Sequence, residues 1–309
     1  MVSAVFHPPR DAKSTSDGDP APDARLAATA APAPRTAGKP QSAPAPAPAP
    51  REPFDWRGLG AVVVPPLVGM ALLIGIWALA TQNSTTFPSP LATFNAAVKL
   101  FADPFYSNGP NDQGIGWNIL FSLERVGVGF GLAALVGIPL GFVIGRFALL
   151  NRMLSPLISL LKPVSPLAWL PIGLLVFQSA NPAAIWTIFI CSIWPMVINT
   201  AVGVQRVPED YLNVARVLKL SEWKIATRIL LPSVMPYMLT GVRLSVGTAW
   251  LVIVAAEMLT GGVGIGFWVW DEWNNLNVAH IIVAIFVIGI VGLLLELALL
   301  AVARRFDYS

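Results

Sequence analysis

The sequence predicts an all-α membrane protein in which six transmembrane helices follow a long segment rich in proline and alanine. Of its 309 residues, 55% are hydrophobic and only 12% are charged, and the mean hydropathy is +0.66, which no soluble domain approaches. A helix needs about 20 apolar residues to cross roughly 30 Å of hydrocarbon. Stretches of that kind lie near residues 59–80, 119–145, 154–177, 182–204, 234–258 and 279–302.

Residues 1–53 differ in composition and are predicted to form a disordered cytoplasmic tail ahead of a transmembrane domain at residues 54–309. Pro-Ala repeats such as residues 43–50 favour the polyproline II conformation and carry too little apolar mass for a core. The charges of this tail nearly balance, which argues against nucleic-acid binding. The first apolar run begins only near Leu59, so we expect no cleaved secretory leader.

The short segments between the apolar stretches differ in positive charge, and this difference predicts the orientation of the chain. Because Lys and Arg accumulate in cytoplasmic segments, we expect both termini and the segment 205–233 to be cytoplasmic. The segments on the opposite side carry only Lys99. The basic residues assigned to the cytoplasmic side are Arg57, Arg146, Arg152, Arg206, Arg216, Lys219, Lys224, Arg228, Arg304 and Arg305.

Residue types that perform catalysis or bind metals are scarce in this chain. The only two histidines are far apart in the sequence and Cys191 has no evident partner, so no metal site or nucleophile is predicted. The glycine-rich run 261–266 lacks the Lys-Ser/Thr ending of a phosphate-binding loop, and we interpret it as a flexible outer turn. Asp271 and Glu272 are interpreted as a solvated pair on a loop. We therefore expect that this chain is not itself an enzyme.

Lys162, Arg243 and Glu257 lie inside the apolar stretches, where a charge costs about 3 kcal/mol or more and so faces protein or water. Lys162 and Arg243 are candidates for an anion path, because both are cationic and a guanidinium offers two parallel donors to a planar oxyanion. The alternative is that both side chains snorkel to the membrane surface or brace helices. Glu257 would repel an anion, which favours a role in packing or gating. Glu124 and Arg125 are interpreted as structural, paired with each other or with neighbouring helices.

The polar segment 205–233, between the fourth and fifth stretches, combines a basic character with apolar positions at helical spacing. At 3.6 residues per turn these apolar positions share one face, which predicts an amphipathic helix that docks on a partner at the membrane surface. They are Val214, Val217, Leu218 and Trp223. The alternative is that the basic residues bind anionic lipid headgroups.

This segment resembles the cytoplasmic coupling loop of ABC importer permeases, in which Glu-Ala-Ala is followed by a glycine and then by Ile-x-Leu-Pro. Asn213 stands where glutamate is usual, and Lys219 stands where glycine is usual. The residues that match the pattern are Ala215, Ile229, Leu231 and Pro232.

The resemblance covers roughly residues 55–306 and implies the six-helix fold of a type I importer permease in the bacterial cytoplasmic (inner) membrane. It implies two ABC ATPase subunits that use ATP and Mg²⁺, an extracytoplasmic substrate-binding protein and a second permease copy, most simply an identical one. The permease itself would need no cofactor. The residues implied to couple to the ATPase are Asn213, Val214, Ala215, Arg216, Val217, Leu218, Lys219 and Leu220.

Four further runs are similar to permeases for nitrate and bicarbonate, namely residues 162–171, 181–184, 250–262 and 270–277. Taurine, alkanesulfonate and cyanate permeases are relatives that share less of these runs. The resemblance therefore implies import of a small anion by alternating access, with nitrate or nitrite as the leading substrate and bicarbonate as the alternative. A secondary transporter or channel is the competing class, although the sequence shows no convincing inverted repeat. A membrane enzyme is a third class, and it would need an acidic or His-rich cytoplasmic site where this chain is basic.

Overall fold

A computed structural model describes residues 56–84 and 86–304, so the predicted tail at residues 1–53 lies outside the described residues. Within these ranges the secondary structure is helical, apart from one isolated β-bridge between Ser107 and Gln113, and the predicted all-α class is confirmed. The helices are α1 (Trp56–Thr81), α2 (Pro90–Ala102), α3 (Ile115–Arg146), α4 (Ala148–Leu161), α5 (Pro166–Phe177), α6 (Ala180–Gln205), α7 (Glu209–Val217), α8 (Glu222–Ile225), α9 (Leu231–Thr260), α10 (Ile265–Asn274) and α11 (Val278–Ala303), with a π-helical turn at Ala226–Leu230 between α8 and α9.

Five helical elements in the described part of the chain are long and apolar enough to cross a membrane. A sixth span results if the bent pair formed by α4 and α5 is counted as one. The five elements are Val64–Thr81, Ile115–Arg146, Ala180–Gln205, Glu222–Thr260 and Val278–Ala303.

The apolar stretch predicted at residues 154–177 is divided between α4 and α5, which are bent by 98° relative to each other. Pro163 and Pro166 cause the break, since proline lacks an amide hydrogen and disfavours helical backbone in the residue before it. Ser165 accordingly has ψ of 136°, and its side chain accepts a hydrogen bond from the amide of Leu167 in the first turn of α5. The third span is therefore either a broken span or a re-entrant loop.

The packing of the membrane domain centres on α6, whose most extensive contacts are with α3 and α9. Gly137, Gly141 and Gly145 of α3 lie against α6 at intervals of one helical turn. A Cβ on Gly141 would stand 2.7 Å from the Cβ of Thr200 and 2.8 Å from the carbonyl oxygen of Val197. Small residues let two helix backbones approach closely, and in a bilayer such packing is a main source of helix association.

Two helices, α2 and α10, lie in segments for which the sequence predicted no span. Ser89 caps α2 by accepting a hydrogen bond from the amide of Ala92 at 3.3 Å, and Pro90 takes the first helical position, where its missing amide hydrogen is not needed.

The carboxylates of α10 differ from the solvated loop pair that was predicted. Asp271 and Glu272 both lie on the helix, and Oε2 of Glu272 is 3.1 Å from Nδ1 of His280 at the start of α11. The His280 ring also stacks on the buried Trp268, with a centroid distance of 6.0 Å. Glu272 therefore ties α10 to α11, and the interpretation as a loop pair was wrong.

Candidate coupling segment and anion path

The segment 205–233 forms two short helices and a π-helical turn, where the sequence had predicted one amphipathic helix. The first of these, α7, begins after Pro208 and carries Glu209 and Asp210 in its first turn, where the helix dipole favours carboxylates. It ends at Val217, so the apolar residues before and after this point do not belong to one helical face.

The end of α7 is a Schellman motif centred on Lys219. The amide of Lys219 donates to the carbonyl of Arg216 at 2.9 Å, and the amide of Leu220 donates to the carbonyl of Ala215 at 3.0 Å. Lys219 has φ of 51°, the left-handed conformation that this motif requires. Glycine adopts it without steric cost, which is a physical reason for the glycine that is usual at this position of the coupling loop.

The residues expected to contact an ATPase divide into a buried anchor and an exposed group. Ala215 is fully buried, in a cluster with Ile225 of α8 and Val234 of α9. The exposed apolar side chains point away from this cluster, and Val217 reaches 81% exposure. Exposed large apolar side chains near one another in the chain are candidates for an interaction surface. We call this group the coupling patch, and it comprises Val214, Val217, Leu218 and Trp223.

Two polar contacts involve residues next to those of the coupling patch in the sequence. Within α7, Nη1 of Arg216 donates to Oδ1 of Asn213 at 3.0 Å. Between helices, Arg146 at the end of α3 forms a two-point ion pair with Glu222 of α8, through contacts of 3.1 and 3.2 Å. Asn213 thus supplies an acceptor at the position where glutamate is usual.

Arg243 on α9 is paired with Glu296 on α11. Nε of Arg243 donates to Oε1 of Glu296 at 2.9 Å, and Nη2 donates to the same oxygen. The two side chains are 50% and 43% exposed, so each presents about half its surface outside the chain. Sequence reasoning missed Glu296, although a signal was available, since it is the only acidic residue in the apolar run 279–302.

The Arg243–Glu296 pair lines a groove of about 680 Å³ between α9 and α11. The other lining residues are apolar or small, except for the hydroxyls of Thr240 and Thr248. Lys162 does not line this groove and lies exposed at the bend between α4 and α5. The structure therefore does not bring the two predicted anion-path cations to one groove.

Glu257 lies at the opposite end of α9 from the coupling patch and is only 1% exposed. Its Oε1 accepts from Nη1 of Arg125 at 2.6 Å, and its Oε2 accepts from the hydroxyl of Ser122 at 2.8 Å and from the amide of Gly266 at 3.0 Å. Arg125 thus pairs with Glu257 and not with its neighbour Glu124. The carboxylate joins α3, α9 and α10.

The glycine-rich run 261–266 contains the turn between α9 and α10, and its second half packs against Glu257. The amides of Gly264 and Ile265 donate to side chains of α3 at 2.8 and 2.9 Å. A Cβ on Gly266 would stand 2.1 Å from a backbone carbonyl oxygen of α9. The glycines are therefore needed for close packing around the buried carboxylate.

This fold has a counterpart among solved structures. The chain superimposes on a chain of the inward-facing MetNI methionine ABC transporter with a TM-score of 0.53, covering 62% of this chain and 94% of that one. The sequence identity of 16% makes this a likeness of fold alone.

Residues 137–308 match the family described as "Binding-protein-dependent transport system inner membrane component", and the chain belongs to this family. It is 46% identical over 254 residues to the nitrate import permease protein NrtB of Leptolyngbya laminosa, covering 80% of this chain and 91% of that protein. It is 48% identical over 235 residues to NrtB of Synechocystis, with 76% and 86% covered. It is also 44% identical over 245 residues to the Synechocystis bicarbonate transport system permease protein CmpB, with 78% and 88% covered.

Proposed function

We propose that this chain is the membrane-spanning permease subunit of an ATP-driven, binding-protein-dependent importer of nitrate. The similarity to nitrate import permeases, which extends over most of both chains, carries this proposal. The fold and the family support the role as a permease subunit, and the named relatives support nitrate as the substrate. ATP hydrolysis is assigned to partner subunits, because the sequence has no Walker motif.

The coupling patch is the proposed docking site for an ABC ATPase on the cytoplasmic side. Its exposed apolar side chains lie on α7, just after its end and on α8; the end of α7 is fixed by the Schellman motif, and α7 is anchored by buried Ala215. A rigid support of this kind transmits a displacement to whatever the helix packs on. Here that is the junction of α6 and α9, since Val204 and Val234 belong to the same buried cluster.

Two copies of this permease are proposed to pair, giving two coupling patches for two ATPase subunits. An exposed stripe along α9 supports this, because it places a charge and small or polar residues at membrane depth, where such groups face protein or water in preference to lipid. The stripe consists of Pro236, Thr240, Arg243, Gly247 and Leu251. An extracytoplasmic binding protein is proposed to deliver the substrate on the other side of the membrane.

Arg243 is the proposed contact for the anion during passage. The guanidinium lies at membrane depth in a groove whose other polar side chains are Glu296 and the hydroxyls of Thr240 and Thr248, and its planar donors match a planar oxyanion. Lys162, at the bend between α4 and α5, is proposed as a second cation along the path, in contact with the anion after it leaves the groove.

Bicarbonate is the second candidate substrate, favoured by identities of 43% to 44% with bicarbonate permeases over 78% of this chain. Nitrate and bicarbonate are both small planar monoanions, so the same guanidinium fits either. Uptake in proteoliposomes containing this chain, its ATPase and its binding protein tests the proposal, with labelled nitrate challenged by bicarbonate, nitrite, cyanate and taurine. ATP-dependent nitrate uptake that only nitrite rivals supports nitrate import, whereas uptake specific for bicarbonate or taurine rejects nitrate as the cargo.

A further inference from the structure

We infer that Glu296 is a positioning residue for Arg243. Its carboxylate takes the place of the transported anion on the guanidinium, and it releases Arg243 when a planar oxyanion enters the groove between α9 and α11. This inference rests on the proposed function of anion import, and it adds a residue and an exchange step to that function.

The geometry of the pair is the first support. Arg243 directs both donors on one edge of its guanidinium, Nε and Nη2, at a single carboxylate oxygen of Glu296. A carboxylate and nitrate are both planar, delocalised and singly charged, with oxygens on one side that accept parallel donors. Glu296 therefore occupies the donors that a nitrate, nitrite or bicarbonate ion would use.

The contrast between Glu296 and Glu257 is the second support. Glu257 is 1% exposed and accepts hydrogen bonds from Arg125, Ser122 and the Gly266 amide, so it is fixed in place. Glu296 is 43% exposed, and within the described residues its recorded hydrogen bonds are to Arg243 alone. A carboxylate held by one partner at an open groove is able to move away, whereas Glu257 is not.

The charge balance of the groove is the third support. Among the described residues that line it, Arg243 and Glu296 are the only charged ones. A cation at membrane depth without a counter-ion is unfavourable, and it would also retain any anion that reached it. Glu296 resolves both problems, because it neutralises Arg243 in the empty state and competes with the bound anion, which favours release.

The test compares wild type with Glu296→Gln and with the charge-free double variant Arg243→Gln/Glu296→Gln. The readouts are equilibrium dialysis of labelled nitrate against the purified permease–ATPase complex without binding protein, and nitrate uptake in proteoliposomes with binding protein. Glu296→Gln should bind nitrate about tenfold more tightly and import it more slowly, because the carboxylate that competes with nitrate for the Arg243 guanidinium has been removed. The double variant should bind no nitrate and lose at least about tenfold in uptake rate.

A purely structural ion pair predicts a different result for these variants. An ion pair that is about half exposed contributes only about 0–1 kcal/mol to stability, so a structural role predicts that the double variant transports like wild type. That result, or unchanged nitrate binding by Glu296→Gln, overturns the inference. Glu124→Gln, which removes an exposed carboxylate on α3, is the matched control and should leave both readouts unchanged.

Wild-type uptake separates this test from the test of the proposed function. If the wild-type complex does not import nitrate, the proposed cargo is rejected, and the same three variants are compared with the anion that it does import. If wild type imports nitrate while the variants show the structural pattern, only the role of Glu296 is rejected.

Discussion

Nη1 of Arg125 lies 2.6 Å from Oε1 of Glu257, although 132 positions separate the two residues in the sequence. The same nitrogen donates to the carbonyl oxygen of Val263, also at 2.6 Å, and Nε donates to Oδ1 of Asn181 at the start of α6. One guanidinium thus connects α3, α6, α9 and the turn before α10. The side chains of the ion pair are 16% and 2% exposed, so the pair is largely removed from solvent.

Replacing Arg125 by Ala should destabilise the membrane domain by about 3 kcal/mol or more, because Glu257 would be left as a buried charge without its counter-ion. The measurement is the midpoint of thermal unfolding of the purified permease in detergent. Arg146→Ala is the control, since the exposed pair with Glu222 contributes only about 0–1 kcal/mol. Equal midpoints for the two variants would show that the Arg125 network does not stabilise the fold.

Replacing Gly141 by Ala should weaken the packing of α3 on α6. The new methyl group would stand within 2.7 Å of Thr200 and 2.8 Å of a backbone oxygen, and overpacking of this kind costs about 1–3 kcal/mol. Gly131→Ala in the same helix is the control, because a Cβ there meets nothing within 4 Å. The prediction is that Gly141→Ala lowers the unfolding midpoint and Gly131→Ala does not. A lower unfolding midpoint for both variants would show that the close contact of Gly141 with α6 does not explain the loss of stability.

Lys219 carries the strain of a left-handed backbone, and substitutions at this position should rank by their tolerance of that conformation. Lys219→Gly should raise stability by about 1 kcal/mol, and Lys219→Val should lower it, because a β-branched residue is the least suited to positive φ. Thermal unfolding of the three proteins checks the order Gly, Lys, Val. Any other order would mean that the Schellman motif at the end of α7 does not decide local stability.

Leu218→Asp should abolish uptake while leaving membrane insertion intact, because a charge in the middle of the coupling patch opposes docking of the ATPase. Leu218 is 64% exposed, so the substitution should not disturb the packing of α7. Co-purification with a tagged ATPase should fall by about tenfold or more, as is typical for the loss of a central apolar interface residue. Leu276→Asp, which changes an 80% exposed leucine far from the patch, should retain the ATPase. Normal uptake by Leu218→Asp would remove the coupling assignment.

The fold class was predictable because it depends on composition and on the length of apolar runs. The all-helical membrane domain follows from these alone, and no contact between distant residues is needed to recognise it. The break at residues 162–165 was only partly predictable from the sequence. Pro163 and Pro166 lie inside the predicted stretch 154–177 and favour a kink there, but the bend of 98° depends on how α4 and α5 pack in the folded domain.

The contacts of the charged residues were not predictable, because they depend on which helices become neighbours. Periodicity identifies Arg243 and Glu257 as membrane-embedded charges but does not assign their partners, Glu296 on α11 and Arg125 on α3. The turn at Lys219 illustrates a different limit. An apolar pattern at helical spacing continued through it, and the left-handed residue that ends α7 leaves no trace in that pattern.

The helical element from Glu222 to Thr260 contains 39 residues, including the π-helical turn at Ala226–Leu230. At a rise of 1.5 Å per residue it would be about 58 Å long, whereas the hydrocarbon layer is only about 30 Å thick. Upright in a bilayer, an element of this length would extend well beyond the hydrocarbon layer. Tilting such a rod by about 10° around its midpoint would move each end by about 5 Å. A displacement at the base of the coupling patch would therefore move the opposite end, where Glu257 lies, by more than the width of an anion.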